Sequence, residues 1–120
     1  MNEYQQQLLD HYHNPRNFGK PNFVPTSNSK SSNLSCGDEI ELWLSITEGG
    51  LITDVAFGGE GCSICIASSS LFYEFLKGKN IKEMDNIDED FVLGLVGIPL
   101  TISRIKCALL PLDAFKKTQE

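Results

Sequence analysis

The segment from Gly59 to Ser70, GEGCSICIASSS, sets Cys62 and Cys65 three positions apart, between glycines and a run of small residues. A Cys-x-x-Cys can be a redox pair, half of a zinc site, or a helix start in which one thiol is incidental. The other two cysteines, Cys36 and Cys107, discriminate between these readings. Cys36 is followed by Gly37 and Asp38, and Cys62 is preceded by Gly61. A strand running into Cys62-Ser-Ile-Cys65 at a helix start is the local layout of a thioredoxin-like site. That fold needs a parallel βαβ unit, however, and the strands legible here form a hairpin. A zinc ribbon needs a second Cys-x-x-Cys, which the chain lacks. Both readings leave Cys36 and Cys107 without a role. Cys62 is therefore favoured as a ligand, and Cys65 is expected to be a semi-buried small residue one helical turn further on.

The elements that must position these thiols follow from periodicity. Residues 2–13 are expected to be helical, with Tyr4, Leu8 and Tyr12 on one stripe and Asn14-Pro15 as the stop. His11 and His13 lie two apart, off any common face, and are expected to be solvent-facing or locally bonded rather than catalytic. Residues 16–35 are polar, and Thr26 to Asn33 (TSNSKSSN) is nearly featureless, so this stretch reads as a mobile loop with at most a weak third strand in 22–34. From Asp38 to Thr47 the pattern alternates, with Ile40, Leu42, Leu44 and Ile46 on one face: a half-buried strand. Glu48-Gly49-Gly50 makes a hairpin turn, and Leu51 to Phe57 returns. A helix starts after Gly61, with Ala67, Leu71 and Phe75 in step, Phe72 and Leu76 beside them, and Gly78 as its stop. Asn80 followed by Glu83 resembles a capping box for a short helix, and Asp88 to Leu95 reads as another. The last helix should run from Thr101 or Ser103 to Lys117, with Ile105, Leu109 and Leu112 inward. Pro111 should kink it or divide it into two abutting segments.

The expected fold is α+β: a small antiparallel sheet of about three strands with helices packed on one face. In it, the open end of the hairpin brings residues 36–38 beside residues 58–62, and a helix start packed there can deliver Cys107. Three thiolates and one carboxylate then converge. Such a set suits Zn²⁺ or iron, with Zn–S near ~2.3 Å and Zn–O near ~2.0–2.2 Å.

Composition narrows the function classes. The chain has 120 residues, 41% of them hydrophobic, with a net charge of −6 and a pI of about 4.8. One domain, residues 1–120, is expected. The acidic balance argues against a nucleic-acid partner, which needs a basic face. The longest nearly apolar run, Phe91 to Leu100, is interrupted by Gly94, Gly97 and Pro99 and is too short to span a bilayer, so no membrane association is expected. The polar N-terminus has no signal-peptide core. A cytoplasmic protein is expected, and in that reducing compartment four cysteines point to metal or sulfur chemistry rather than to disulfides.

Together, DHYHNPRNFG (10–19), SCGDEIEL (35–42), GGEGCSICIASSSL (58–71), KGK (77–79) and RIKCALL (104–110) resemble the iron–sulfur cluster assembly scaffold family, IscU/SufU, also called the NifU N-terminal domain. The resemblance runs in order along nearly the whole chain. It implies a compact α+β scaffold that receives sulfur from a cysteine desulfurase, passes its product to iron–sulfur acceptor proteins, and holds zinc when no cluster is present. Carried over by position, the ligands are Cys36, Asp38, Cys62 and Cys107, and the cluster is a labile [2Fe–2S]. The family usually has Ser or Ala where Cys65 stands. Lys106 before the third cysteine matches SufU-type members, whereas IscU-type members have His. The 24-residue separation of Lys79 and Arg104 is IscU-like, because SufU-type members carry an insertion there. Leu100 to Arg104 (LTISR) replaces the Leu-Pro-Pro-Val-Lys segment of IscU-type members, which counts against a dedicated Hsp70-type chaperone as partner.

Three readings of function follow. The first is a scaffold that assembles and passes on a cluster, with Asp38 as a hard oxygen ligand loosening a soft thiolate site. The second is a zinc-dependent sulfurtransferase, in which Cys36 or Cys107 accepts a persulfide and Lys106 lowers the neighbouring thiol's pKa. On this view Cys36 is loaded first by the zinc route and Cys107 first in iron-dependent assembly. The third is a zinc-stabilised interaction domain without turnover. A conventional enzyme is not expected.

Overall fold

The computed structural model describes residues 2–119. Its elements are α1 (Glu3–His13), β1 (Ser27–Asn33), β2 (Asp38–Ile46), β3 (Ile52–Glu60), α2 (Ser63–Leu76), a 3₁₀ turn (Ile81–Asn86), α3 (Glu89–Val96) and α4 (Ile102–Lys117). The three strands form one antiparallel sheet in the order β1-β2-β3. The inward faces of β2 and β3 put Ile40, Leu42, Leu44, Ile52 and Phe57 out of solvent against Phe72, Tyr73 and Leu76 of α2 and Leu112 and Phe115 of α4. This is the α+β arrangement expected from the sequence, with the core between the sheet and the α2/α4 layer.

The β2–β3 hairpin follows its alternation. The backbone of Thr47 bonds that of Leu51, and Gly50 closes the turn at φ +91°. β3 runs three residues beyond Phe57, to Glu60. Gly59 makes that extension possible. It sits at φ +132°, and a Cβ there would lie 2.0 Å from the Glu39 carbonyl oxygen, so only glycine fits.

Two expectations are refined and two fail. The weak third strand expected within 22–34 is present as β1, paired with β2 from Ser27↔Leu44 to Asn33↔Asp38, so that part of the stretch is not a mobile loop. Its inner face is built of serines that bond α4: Ser29 Oγ donates to the Ala114 carbonyl at 2.5 Å, and Ser31 Oγ donates to the Asp113 carboxylate. Hydroxyls replace apolar contacts there, which is why no hydrophobic alternation marks the strand. Next, α4 runs as one helix through Pro111, so of the two outcomes expected there, division does not occur. Around the proline, α2 supplies two donors, Ser68 Oγ to the Ala108 carbonyl (2.6 Å) and Tyr73 Oη to the Pro111 carbonyl (2.8 Å). Third, His11 is buried, and its bond is non-local: Nδ1 lies 2.7 Å from Ser70 Oγ, which also accepts from the Arg16 amide at 2.8 Å. The stripe mate Leu8 is buried while Tyr4 and Tyr12 are half exposed, so α1 docks through Leu8 and His11. Fourth, Cys65 is fully buried rather than semi-buried.

The outer edge of β3 is covered. Asn17 and Gly19 bond the Phe57 backbone, and Gly78 and Lys79 bond that of Ile52. No helix of the described residues is long and apolar enough to cross a membrane.

Candidate metal centre

Each thiol sits at the end of an element, at the same end of the sheet. Cys36 lies in the turn between β1 and β2, where the amides of Cys36 and Gly37 both bond the Asn33 carbonyl, and its side chain is exposed. Asp38 begins β2 and is buried. Cys62 is the N-cap residue of α2, and no hydrogen bond from its side chain caps the helix. Cys107 lies in the second turn of α4 and is buried. Ser68, by holding the carbonyl of the next residue, Ala108, sets α4 against α2 at this level.

These placements bring two of the thiols and the carboxylate together, while Cys62, expected among them, lies outside that group. Cys36 Sγ and Cys107 Sγ are 3.6 Å apart, and donor atoms of Cys36, Asp38 and Cys107 all lie within 4.8 Å of one another. Cys62 stands at the rim of that set. Its thiol is 3.8 Å from Asp38 Oδ2, and its backbone amide donates to Asp38 Oδ1 at 3.1 Å. Asp38 therefore joins the two halves of the site and places a negative charge at the start of α2, where the helix dipole favours it. Burial pushes the Cys107 thiol well above its ordinary range, and hydrogen bonding with Asp38, Cys36 and Cys62 adds to the shift. Lys106 is exposed and lines a cleft of about 520 Å³ that also contains Leu34 and Asp113. The direction at Cys107 is thus opposite to the lowering expected beside a cation.

Cys65 lies behind the set. A Cβ on Gly61 would come within 3.0 Å of Cys65 Sγ and 3.5 Å of Asp38 Cγ, so glycine allows the buried thiol and the carboxylate to approach from two sides. Burial, then the charges of Asp38, Cys62 and Cys36, push the Cys65 thiol far up. Among the described residues, Cys65 belongs to no group of three donor atoms within 4.8 Å.

The serines that dock α4 and α1 onto α2 went unrecognised in the sequence. Their signal, the Ser68-Ser69-Ser70 run in the middle of an otherwise apolar helix, was present but reads equally as small-residue packing.

The donor set is soft apart from one hard oxygen, a composition that suits zinc or iron. Two thiolates on one tetrahedral zinc, each near 2.3 Å, stand about 3.8 Å apart. The Cys36–Cys107 separation is close to that without rearrangement.

The NifU-like N terminal domain model matches residues 3–119. The chain is 38% identical over 117 residues to the iron–sulfur cluster assembly scaffold protein IscU of Buchnera aphidicola subsp. Acyrthosiphon pisum, covering 94% of this chain and 89% of that protein. It is 36% identical over 133 residues to the zinc-dependent sulfurtransferase SufU of Bacillus subtilis, covering 95% and 87%. Among solved structures, the SufU protein of Fervidobacterium islandicum AW-1 superposes with a TM-score of 0.78 at 26% identity, covering 100% of this chain and 96% of that one. The NifU-like N-terminal protein of Brucella abortus shares the fold, with a TM-score of 0.74 at 19% identity over 97% of this chain and 91% of that one.

Proposed function

The chain belongs to the NifU-like N-terminal domain family, and on that premise we propose that it is an iron–sulfur cluster assembly scaffold. It takes sulfur from a cysteine desulfurase, assembles a labile [2Fe–2S] cluster on Cys36, Cys62 and Cys107, and hands it to acceptor proteins. The observation that carries this reading is the 3.6 Å approach of Cys36 and Cys107 with Asp38 beside them. In the cluster-free protein Cys36, Asp38, Cys62 and Cys107 would hold zinc, which keeps the thiols deprotonated and the site closed.

Asp38 separates a scaffold from a storage site. A carboxylate is a hard ligand among soft ones, so it weakens the hold on iron and favours release. It also anchors the Cys62 amide, so its movement on release would be felt at the start of α2. Residues 1–120 act as one unit in this reading, in the cytoplasm, where cysteines stay reduced. A dedicated Hsp70-type chaperone is no part of it, because LTISR (100–104) stands where its recognition segment would be.

The match of Lys106 to SufU-type members, rather than any lowering of the Cys107 thiol, favours a second reading, a zinc-dependent sulfurtransferase in which a thiol of the site accepts a persulfide. Chain length speaks for the first. The match to SufU extends over 133 positions and that to IscU over 117, with nearly equal shares of this chain covered, so SufU carries residues that this chain lacks.

Metal analysis and visible spectra after anaerobic incubation with a cysteine desulfurase, cysteine and ferrous iron test the proposal. A cluster chromophore with loss of zinc is expected. Tight zinc, persulfide on the protein and no chromophore would establish the sulfurtransferase instead.

A further inference from the structure

The scaffold reading uses three of the four thiols and leaves Cys65 idle, although it is buried against the site. Cys62 is the N-cap of α2 and Cys65 is its third helical residue. Helical side chains lean toward the N-terminus, and residues three apart at a helix start share a face. Cys65 follows this pattern, with Sγ turned back onto Gly61, the residue before Cys62. The Cys62 side chain makes no capping bond, and its one hydrogen bond is the long 3.8 Å contact with Asp38. A disulfide needs Cα atoms about 4.4–6.8 Å apart, a span that positions i and i+3 of a helix start satisfy. Cys65 is also fully shielded from solvent, so it meets only what its neighbours carry, and it belongs to no donor set within 4.8 Å among the described residues.

We propose that Cys62 and Cys65 form an internal dithiol that reduces a persulfide sulfur carried on Cys62 to sulfide, closing a Cys62–Cys65 disulfide. This rests on the persulfide-accepting role of the site. Sulfur reaches Cys62 by thiol exchange from its neighbours in the cluster. Cys65 Sγ then attacks Cys62 Sγ. The bond between Cys62 Sγ and the outer sulfur breaks as the Sγ–Sγ bond forms. The outer sulfur leaves with the bonding pair and takes up the proton given up by Cys65, departing as hydrogen sulfide. Its two-electron reduction is balanced by oxidation of the two thiols to the disulfide, and a dithiol reductant restores the pair. The chain would thus supply both electrons needed to turn desulfurase sulfur into the sulfide of a cluster.

The test uses the full chain, reduced and then freed of reductant under anaerobic conditions. One arm receives a cysteine desulfurase and cysteine; the other receives cysteine persulfide alone. Sulfide is trapped with monobromobimane, and sulfur bonds are mapped by mass spectrometry of non-reduced peptides. Equal amounts of sulfide and Cys62–Cys65 disulfide are expected. In Cys65→Ser and Cys65→Ala, sulfide release should fall by about tenfold or more, with persulfide remaining on Cys62. Unchanged release in both variants, or a disulfide mapping mainly to Cys36 and Cys107, overturns the proposal. Persulfide in both arms without the Cys62–Cys65 disulfide overturns it while sparing the persulfide-acceptor role. If cysteine persulfide yields sulfide and the disulfide but the desulfurase loads nothing, the dithiol stands and the desulfurase partnership falls.

Discussion

Cys36 and Cys107 are 71 residues apart in the chain, yet their sulfur atoms lie 3.6 Å apart, one exposed in a turn and the other buried in a helix. The turn offers its thiol to solvent, and the helix shields the other.

Zinc content and folding should fall together. Replacing Cys36, Cys62 or Cys107 with serine should remove most of the zinc and lower the melting temperature by about 5 °C or more, because metal binding is coupled to folding. Cys65→Ser should keep its zinc. Metal analysis beside thermal melts checks this; full zinc in Cys62→Ser with loss in Cys65→Ser would reassign the ligand within the Cys-x-x-Cys.

Asp38→Ala should lengthen the life of an assembled cluster and slow its delivery. The variant loses the hard oxygen ligand as well as the bond to the Cys62 amide. Decay of the visible chromophore under an anaerobic chelator reports the first effect and transfer to an apo-ferredoxin the second. Decay at the wild-type rate would remove Asp38 from release.

On the zinc-dependent route, with iron absent, sulfur should land first on Cys36. Its side chain is exposed and its turn is held by bonds to a single carbonyl, whereas Cys107 is buried and its thiol is harder to ionise. In metal-free protein the same order should govern alkylation, with Cys36 fastest and Cys65 slowest. Peptide mapping after one desulfurase turnover checks the assignment, and first label on Cys107 would overturn it.

Stability should decline as pH falls below about 6.5. Burial, then the charge of Arg16, hold the His11 pKa below its ordinary value of 6.5. Ser70 accepts the Arg16 amide and can turn its hydroxyl hydrogen toward Nδ1, which also favours the neutral ring. The unfolded chain takes up this proton near pH 6.5 and the folded chain does so only lower, so the stabilisation is complete above 6.5 and is lost on acidification. Melting temperatures for wild type and His11→Leu between pH 7.5 and 5 test this; equal slopes would exclude His11 as the cause.

What could be read in advance divides along a physical line. The β2–β3 hairpin, the helix starts and stops, and the meeting of Cys36, Asp38 and Cys107 all follow from apolar periodicity and glycine placement, which act locally. β1 is legible only weakly, because its inner face is Ser29 and Ser31 bonded to a helix more than eighty residues away. His11 was misplaced for the same reason, since its partner Ser70 is 59 residues distant. The depth of Cys65 depends on how closely α2 meets the sheet end through Gly61, a tertiary property.

The two borders of the sheet are closed by different means, and this constrains how other proteins approach. Along β3 the backbone is already engaged by residues 17–19 and 78–79. Along β1 the outer border is a short, serine-rich ribbon carrying Lys30, a poor template for an incoming strand. Strand addition, the commonest way for a small sheet to recruit a peptide, is therefore discouraged on both sides. What remains open to a visiting protein is side chains on loops and helix ends, among them the exposed Leu34, two residues before Cys36, and Ile102 at the start of the helix that carries Cys107.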